Sequence, residues 1–511
     1  MNKTPTEGSP FGAALRRYRL AAGLTHEVLA ERAGLSARTI SDIERGVSRS
    51  PRQQSLSLLA SALALTPDQR TVLETAARRE VLASKLDGPF HNLPAQLTGF
   101  VGREQETAVV AELVQRHDVR LVTLTGAGGS GKTRLAIRVA EALRPRFIDG
   151  TYFVALGPLT RGDHIIEAVA QAMGVRKIEG GPLEALVFEH LHEKQVLLLL
   201  DNFEHLLSEA PLVIRLLASC PHVKALVTSR AILRLSGEHE FFVAPLPVPD
   251  LRRLPALGEL KQYAAVALFA DRATSVEPDF RLTTQNANAV AAICVRIDGL
   301  PLAIELAAAR VKLLSPDALL AQLERPSGPL RLLTGGPRDL PARQQALRET
   351  IAWSYSLLTP DEQRLIRRLA VFAGGCTLSA ASAVLRRQET ETRTSEAGDF
   401  EVLHGLASLM DKSLLRPQEG PDGRPRYIML ETIREFALEQ LGATEEGTEA
   451  REGHARYYLA MVEASGPFLL HRSDAAGPID YTRVYDARDW QALTAEQENI
   501  RAALRWLVEF G

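Results

Sequence analysis

Gly126-Ala127-Gly128-Gly129-Ser130-Gly131-Lys132-Thr133 follows an apolar run at 121–124 and opens onto a helix-like stretch at 134–143. It fills every fixed position of G-x-x-x-x-G-K-[ST]. Strand, glycine loop and helix in that order are the context a phosphate-binding loop requires. The glycines let successive backbone N–H groups turn toward one point, where a helix N-terminus adds partial positive charge. Gly126, Gly128, Gly129, Ser130 and Gly131 would shape that cradle, with Arg134 flanking it. Lys132 would reach the β- and γ-phosphates, and the Thr133 hydroxyl would hold Mg²⁺. The stretch implies a site for a nucleoside triphosphate.

Around this loop the pattern alternates. From 99 to about 249, strand-like runs at 121–124, 151–155, 196–200, 225–228 and 240–243 are separated by helical stretches. Such alternation predicts a parallel sheet with helices on both faces. A nucleotide-binding domain is therefore expected over 99–255. Residues 256–340 read as a helical domain broken at Pro278, Pro301, Pro316 and Pro326. Over 341–440, helices give way to an extended pair, 413–417 and 427–430, spaced by Gly420-Pro421-Asp422-Gly423, which predicts a winged helix. Residues 387–399 are polar and read as a loop. The segment 441–511 is helical and closes on an amphipathic helix at 499–507 with nothing after it to pack against. It reads as the start of a helical sensor array, for example of tetratricopeptide-like repeats.

The first 80 residues differ. Over 11–80, Leu15, Leu20, Leu24, Val28, Leu29, Leu35, Ile40, Ile43, Leu56, Leu59 and Leu63 recur at helical spacing, punctuated by Gly23, Gly34, Gly46 and Pro51. A linker at 81–98 contains Gly88, Pro89 and Pro94. The expected fold class is thus multidomain α/β: an all-α head, a phosphate-loop domain, a helical domain, a winged helix and a helical tail.

A chain of 511 residues exceeds one ordinary core, and 45% hydrophobic with 24% charged residues is a globular balance. The net charge of −2 gives no global attraction to nucleic acid, but residues 1–90 carry 13 Lys and Arg against 9 Asp and Glu. A basic head on an acidic body suits a small DNA-binding module. Three cysteines, Cys220, Cys294 and Cys376, lie far apart, which argues against a disulfide framework or a zinc site. The first ten residues lack an apolar h-region, and the run at 196–200 is far too short to span a bilayer. The expectation is a cytoplasmic protein without membrane contact.

The head segment from Leu24 to Gly46 closely resembles a helix-turn-helix of the Cro/repressor (XRE) type. Thr25 would cap the first helix, Gly34 make the turn and Ser36 cap the recognition helix. Ile40 and Ile43 would face inward, leaving Arg38, Thr39, Ser41, Asp42 and Arg45 toward a major groove. Arg38 is the candidate for a guanine edge, and Arg49 and Arg52 for phosphates. Such domains usually carry Gln where this chain has His26, whose imidazole would take over the phosphate contact. A helical protein-binding module is the alternative reading of the head.

The body, about 94–440, resembles the STAND class of signalling ATPases, which includes the NB-ARC proteins and bacterial regulators. Phe100-Val101-Gly102-Arg103-Glu104 looks like the adenine-side entry motif, and the run at 196–202 ends in Asp201 at the Walker B position. Thr228-Ser229-Arg230 resembles the segment whose Arg senses the γ-phosphate. Gly299-Leu300-Pro301-Leu302-Ala303 resembles the family's string whose proline packs on adenine. Two departures are visible. Asn202 stands where many NB-ARC proteins place a second acid, leaving Glu204 as the nearby candidate base beside Asp201. Leu430 stands where their winged helix has a His on the ADP phosphate.

The resemblance implies slow ATP hydrolysis serving as a switch, with ATP/ADP and Mg²⁺ as cofactors, Mg²⁺ being held by Thr133 and Asp201. It also implies a double-stranded DNA operator, nucleotide-dependent self-association and an inducer or partner acting through the C-terminal helices. The rival readings are a signalling or defence ATPase whose head binds protein, and a turnover enzyme of AAA type.

Overall fold

The computed structural model describes residues 10–34, 36–44, 53–63, 65–66, 69–70, 73, 90–159, 164–175, 182–336, 345–385, 395–420, 423–464 and 493–510. Two compact units result, one of residues 1–91 together with 144–150, which contains the head, and one of residues 92–143 and 151–511, which contains most of the body.

The head is four short helices, Pro10–Ala21, His26–Ala33, Ala37–Glu44 and Gln53–Ala62. Leu15, Leu29, Ile40 and Leu59 converge in its core with no exposed surface. Thr25 caps the second helix by accepting from the Val28 N–H, and Gly34 ends it in the left-handed conformation. The Ser36 hydroxyl accepts from the Thr39 N–H at 3.0 Å, so the third helix starts where the caps predict. Ile43 keeps its place on that helix, while its side chain lies outside the described ones.

The body is built on five strands: β1 (Leu121–Thr125), β2 (Gly150–Ala155), β3 (Val196–Asp201), β4 (Lys224–Thr228) and β5 (Glu238–Phe242), in the order β2-β3-β4-β1-β5. β1 runs parallel to β4 and β5, and β3 parallel to β4. β1 and β3 are buried along their whole length, which is why both read as unbroken apolar runs rather than alternating ones. The helices Lys132–Leu143 and Pro211–Ser219 contact this sheet.

The helices Ala264–Val276, Ala287–Arg296, Pro301–Ala308 and Pro316–Leu323 follow. Pro301 and Pro316 open their helices rather than interrupt them, since the first turn has no use for the missing N–H. Next come Leu347–Ser356, Pro360–Leu369, Leu378–Leu385 and Ser395–Asp411, then an antiparallel pair, β6 (Arg416–Glu419) and β7 (Pro425–Ile428). One apolar cluster runs from Ala127 in the glycine loop through the helical region to Ala503 in the tail. All three cysteines are buried and free.

Two expectations need correction. The polar stretch at 387–399 is not all loop: a helix starts at Ser395, and 387–394 lie outside the described residues. Both wing strands are shifted, the second to Pro425–Ile428, and the first is also shorter, because Ser413 adopts a positive φ of 56° and the chain becomes extended only from Arg416. The amphipathic tail helix, Gln497–Phe510, packs on a helix that precedes it, Glu446–Ala464; Ala503 is buried there while Leu504 and Val508 stay exposed.

Candidate functional site

The glycine loop joins β1 to the helix Lys132–Leu143. Gly129 and Gly131 adopt φ of 80° and 92°, and a Cβ on Gly129 would lie 2.9 Å from the Leu302 side chain. The Leu302 N–H donates to the Gly129 carbonyl at 3.2 Å, and Pro301 packs against Gly131. The string at 299–303 is therefore brought directly onto the phosphate loop.

Lys132 is buried, and its Nζ donates to the carbonyls of Gly126 (2.8 Å) and Ala127 (3.0 Å). Burial pulls its pKa down to about 8; Glu204 and Asp201 act against that, and Arg230 adds to it. A cation held this way is matched to an anion that enters the loop. The Ser130 hydroxyl is buried without a hydrogen-bond partner among the described residues, as a group aimed at a ligand would be.

Asp201, at the end of β3, accepts from Thr133 Oγ1 (2.6 Å) and Thr228 Oγ1 (2.7 Å). Burial raises its pKa, and the two hydroxyls lower it. Thr133 and Asp201 thus meet, as a shared Mg²⁺ would require. Asn202 sits at a φ of 65° with its N–H on Thr228 Oγ1 (2.9 Å). A left-handed position is one that Asn tolerates, which accounts for its presence after Asp201.

Arg103 is buried and donates to the carbonyls of Ser130 (2.8 Å) and Ala244 (2.7 Å), bracing the loop from behind. A Cβ on Gly102 would fall 2.3 Å from that of Ala264, so this turn and the helical region fit only through a glycine, with Val101 half-buried beside it. Arg134 spans Thr98, Gly99 and Glu305; Arg272 holds the same Glu305 at 3.0 Å.

Arg230 and Glu204 form a buried ion pair at 3.1 Å. Arg230 also donates to the Thr350 carbonyl (2.9 Å) and to the Ser354 hydroxyl, both on the helix Leu347–Ser356. Nothing around Thr350 and Ser354 in the chain marks them, because their contact with Arg230 spans more than a hundred residues.

At Leu430 the fold supplies what that side chain lacks. Asp298 accepts from the N–H groups of Glu431 and Thr432 (2.9 Å each) and from Thr432 Oγ1 (2.8 Å), capping the helix Glu431–Gly442 from another part of the chain. Burial raises the Asp298 pKa against these bonds. Arg296 pairs with Glu431 and Glu435 alongside.

In the head, Glu44 accepts from Arg19 (2.6 and 3.0 Å) and lies 2.9 Å from His26 Nε2. Burial works against this carboxylate, yet Arg19 and His26 hold its pKa below the usual range. That nitrogen of His26 is thus engaged with Glu44 inside the head. Ser36 is used as a cap, with its hydroxyl 2.7 Å from that of Thr39, and Ser41 lies half-buried on the recognition helix. Arg38 and Asp42 lie on that helix with side chains outside the described ones. Arg45, Arg49 and Arg52 lie outside the described residues altogether.

Three stretches match known families: residues 10–73 a "Helix-turn-helix domain", 115–241 an "AAA domain" and 358–442 a "Winged helix-turn-helix domain". Over 380 residues the chain is 36% identical to the uncharacterized protein Rv0894 of Mycobacterium tuberculosis, spanning 74% of this chain and 90% of that one. The chain belongs to the Rv0894 family. A longer relative of this family member, the M. tuberculosis protein named as an HTH-type transcriptional regulator, Rv0890c, is 40% identical over 397 residues, 77% of this chain. The chain spans 40% of Rv0890c's length. The regulatory protein AfsR of Streptomyces coelicolor is 27% identical over 431 residues, covering 78% of this chain and 39% of AfsR. With an AAA domain around an intact phosphate loop, this Rv0894-family chain binds nucleotide. No described helix is long and apolar enough to cross a membrane.

Proposed function

We propose that the chain is an ATP/ADP-switched, sequence-specific DNA-binding transcriptional regulator of the STAND class. One observation carries this reading: the phosphate loop touches two other parts of the body at once. Leu302 and Pro301 of the helical domain lie on it, and Arg230 beside it is held by the helix that leads into the winged module. A ligand bridging domains biases their arrangement by its difference in affinity between the arrangements. The helix-turn-helix head supplies the DNA contact, and relatives named as regulators support it.

In this reading the modules are 11–80, 99–255, 256–340, 341–440 and 441–511, with a linker at 81–98. Lys132 and the loop N–H groups bind the β- and γ-phosphates, and Thr133 and Asp201 hold Mg²⁺, which would supply charge neutralisation for phosphoryl transfer. Val101, Gly102 and Pro301 form the base side, while Arg103 and Arg134 position the loop. Glu204 orients water, and slow turnover resets the switch. The recognition helix reads an operator through Arg38, Thr39, Ser41, Asp42 and Arg45. His26, Ser36, Arg49 and Arg52 set its docking. Self-association of ATP-bound chains raises operator avidity through effective concentration, and the C-terminal helices receive the inducer.

Operator selection followed by footprinting tests the reading, with ADP or a slowly hydrolysed ATP analogue present and light scattering in parallel. The expected result is a discrete footprint that tightens with the analogue as the mass rises. Absence of any footprint together with an identical mass in both nucleotides rejects it.

A further inference from the structure

The buried guanidinium of Arg230 is committed on three sides. Its Nε donates to Glu204 Oε1 at 3.1 Å, and one terminal nitrogen donates to both the Thr350 carbonyl and the Ser354 hydroxyl. The Ser354 hydroxyl also donates to the Thr350 carbonyl at 3.3 Å, so the two acceptors form one patch on the inner face of the helix Leu347–Ser356. That patch lies against the phosphate loop. A Cβ placed on Gly128 would meet Thr350 Cγ2 at 2.7 Å and Arg230 at 3.1 Å, so only glycine lets helix, arginine and loop meet here. The arginine's backbone is fixed separately: its carbonyl accepts from Ser413 Oγ at 2.7 Å, and the Ile232 N–H donates to the Asp411 carbonyl at 3.2 Å. The side chain can therefore change partners while its backbone stays anchored.

We infer that Ser354, with the Thr350 carbonyl, sets this protein's preference between nucleoside di- and triphosphates by competing with the terminal phosphate for Arg230. The inference rests on the nucleotide reading of the loop. A carbonyl and a hydroxyl are neutral acceptors, whereas a phosphoryl oxygen is anionic and makes the stronger, charge-assisted bond to a guanidinium. A triphosphate therefore draws Arg230 off the helix Leu347–Ser356, and a diphosphate leaves it there. The preference follows from how firmly the helix retains the arginine. The same exchange loosens the helix from the loop only when the third phosphate is present, which couples nucleotide state to the winged module. Ser354 acts through Arg230 and is a positioning residue, not a catalytic one.

The test is equilibrium binding of fluorescent ADP and of a slowly hydrolysed fluorescent ATP analogue to the full chain. Wild type is compared with Ser354→Ala, Ser354→Thr and Ser354→Asp, each also made with Arg230→Ala. Loss of one hydrogen bond to a charged group predicts that Ser354→Ala shifts the ratio of the two dissociation constants about tenfold toward the triphosphate. Ser354→Asp, which gives Arg230 an anionic partner, shifts it the opposite way, and Ser354→Thr restores the wild-type ratio. ADP affinity stays within about twofold in the single Ser354 variants, and with Arg230→Ala every Ser354 variant has the same ratio. An unchanged ratio in Ser354→Ala and Ser354→Asp, with ADP still bound, overturns the inference and leaves the nucleotide site standing. A shift that persists without Arg230 overturns it as a packing effect. Failure of wild type to bind either nucleotide overturns both the inference and the reading beneath it.

Discussion

The glycine loop and the Arg230 clasp line the same end of the nucleotide site, yet they are assembled in opposite ways. The loop is eight consecutive residues whose backbone does the work, with one side chain, Lys132, adding the charge. The clasp draws Glu204, Thr350, Ser354 and Ser413 from three separate stretches onto one arginine. A loop of that kind keeps its shape whatever the neighbouring domains do. A clasp of that kind exists only in one arrangement of them. Binding strength and binding consequence are thus lodged in different residues, and substitutions should separate the two.

The largest expected effect is on the loop. Lys132→Ala removes the only cation that the loop itself directs at the phosphates, and should weaken nucleotide binding about 100-fold with the fold intact. Calorimetric titration with circular dichroism as the fold control checks it. If a folded Lys132→Ala chain bound nucleotide as wild type does, the loop would not be the binding element, and the contrast with the clasp would lose one side.

Next in size is a contact of the distributed kind, Asp298→Ala. It deletes three hydrogen bonds that cap the helix Glu431–Gly442 in a buried position, worth about 2 kcal/mol at the upper end for a cap. Because a chain with several units has no single unfolding free energy, local opening is the better readout. Amides at the start of that helix should exchange about 30-fold faster, with Asp298→Asn intermediate and nucleotide affinity barely altered. Unchanged exchange would mean that the cap is redundant with the Arg296 pairs.

How much was readable follows the same division. The phosphate loop, Asp201, the caps Thr25 and Ser36, and the parallel sheet were all legible, because each is dictated within a few residues or by one unbroken apolar run. The two carbonyls that Arg103 meets were not legible, since a buried guanidinium takes whichever carbonyls face it and sequence does not say which. Asp298, Thr350 and Ser354 escaped entirely. Each makes its decisive contact across a gap of more than a hundred residues, and nothing near it in sequence marks the partner.

In the head the test concerns local reading alone. Arg38→Ala should cost about 1.5 kcal/mol on a selected operator and much less on random DNA, as loss of a base contact does. Arg52→Ala should weaken both duplexes alike, as loss of a phosphate contact does. Equal losses for Arg38→Ala on the two duplexes would remove it from base readout.

The smallest effect links the loop and the clasp through charge. Burial holds Lys132 at about 8 in the free protein, while bound phosphate favours the ammonium and so raises its pKa. Binding then takes up a proton above pH 8. Affinity is fully present below pH 8 and falls as pH rises through it, by about fourfold between pH 7 and 8.5 for a single group of this pKa. Arg230 depresses the Lys132 pKa and Glu204 raises it. Arg230→Ala should therefore move the fall in affinity to higher pH, and Glu204→Gln should move it lower. Titration of ADP binding from pH 7 to 9.5 measures this without involving the terminal phosphate of ATP. Opposite displacements by the two variants would place the clasp in electrostatic contact with the loop even when the ligand never reaches Arg230. Coincident curves for wild type and both variants would confine the clasp to the triphosphate and leave Lys132 governed by burial alone.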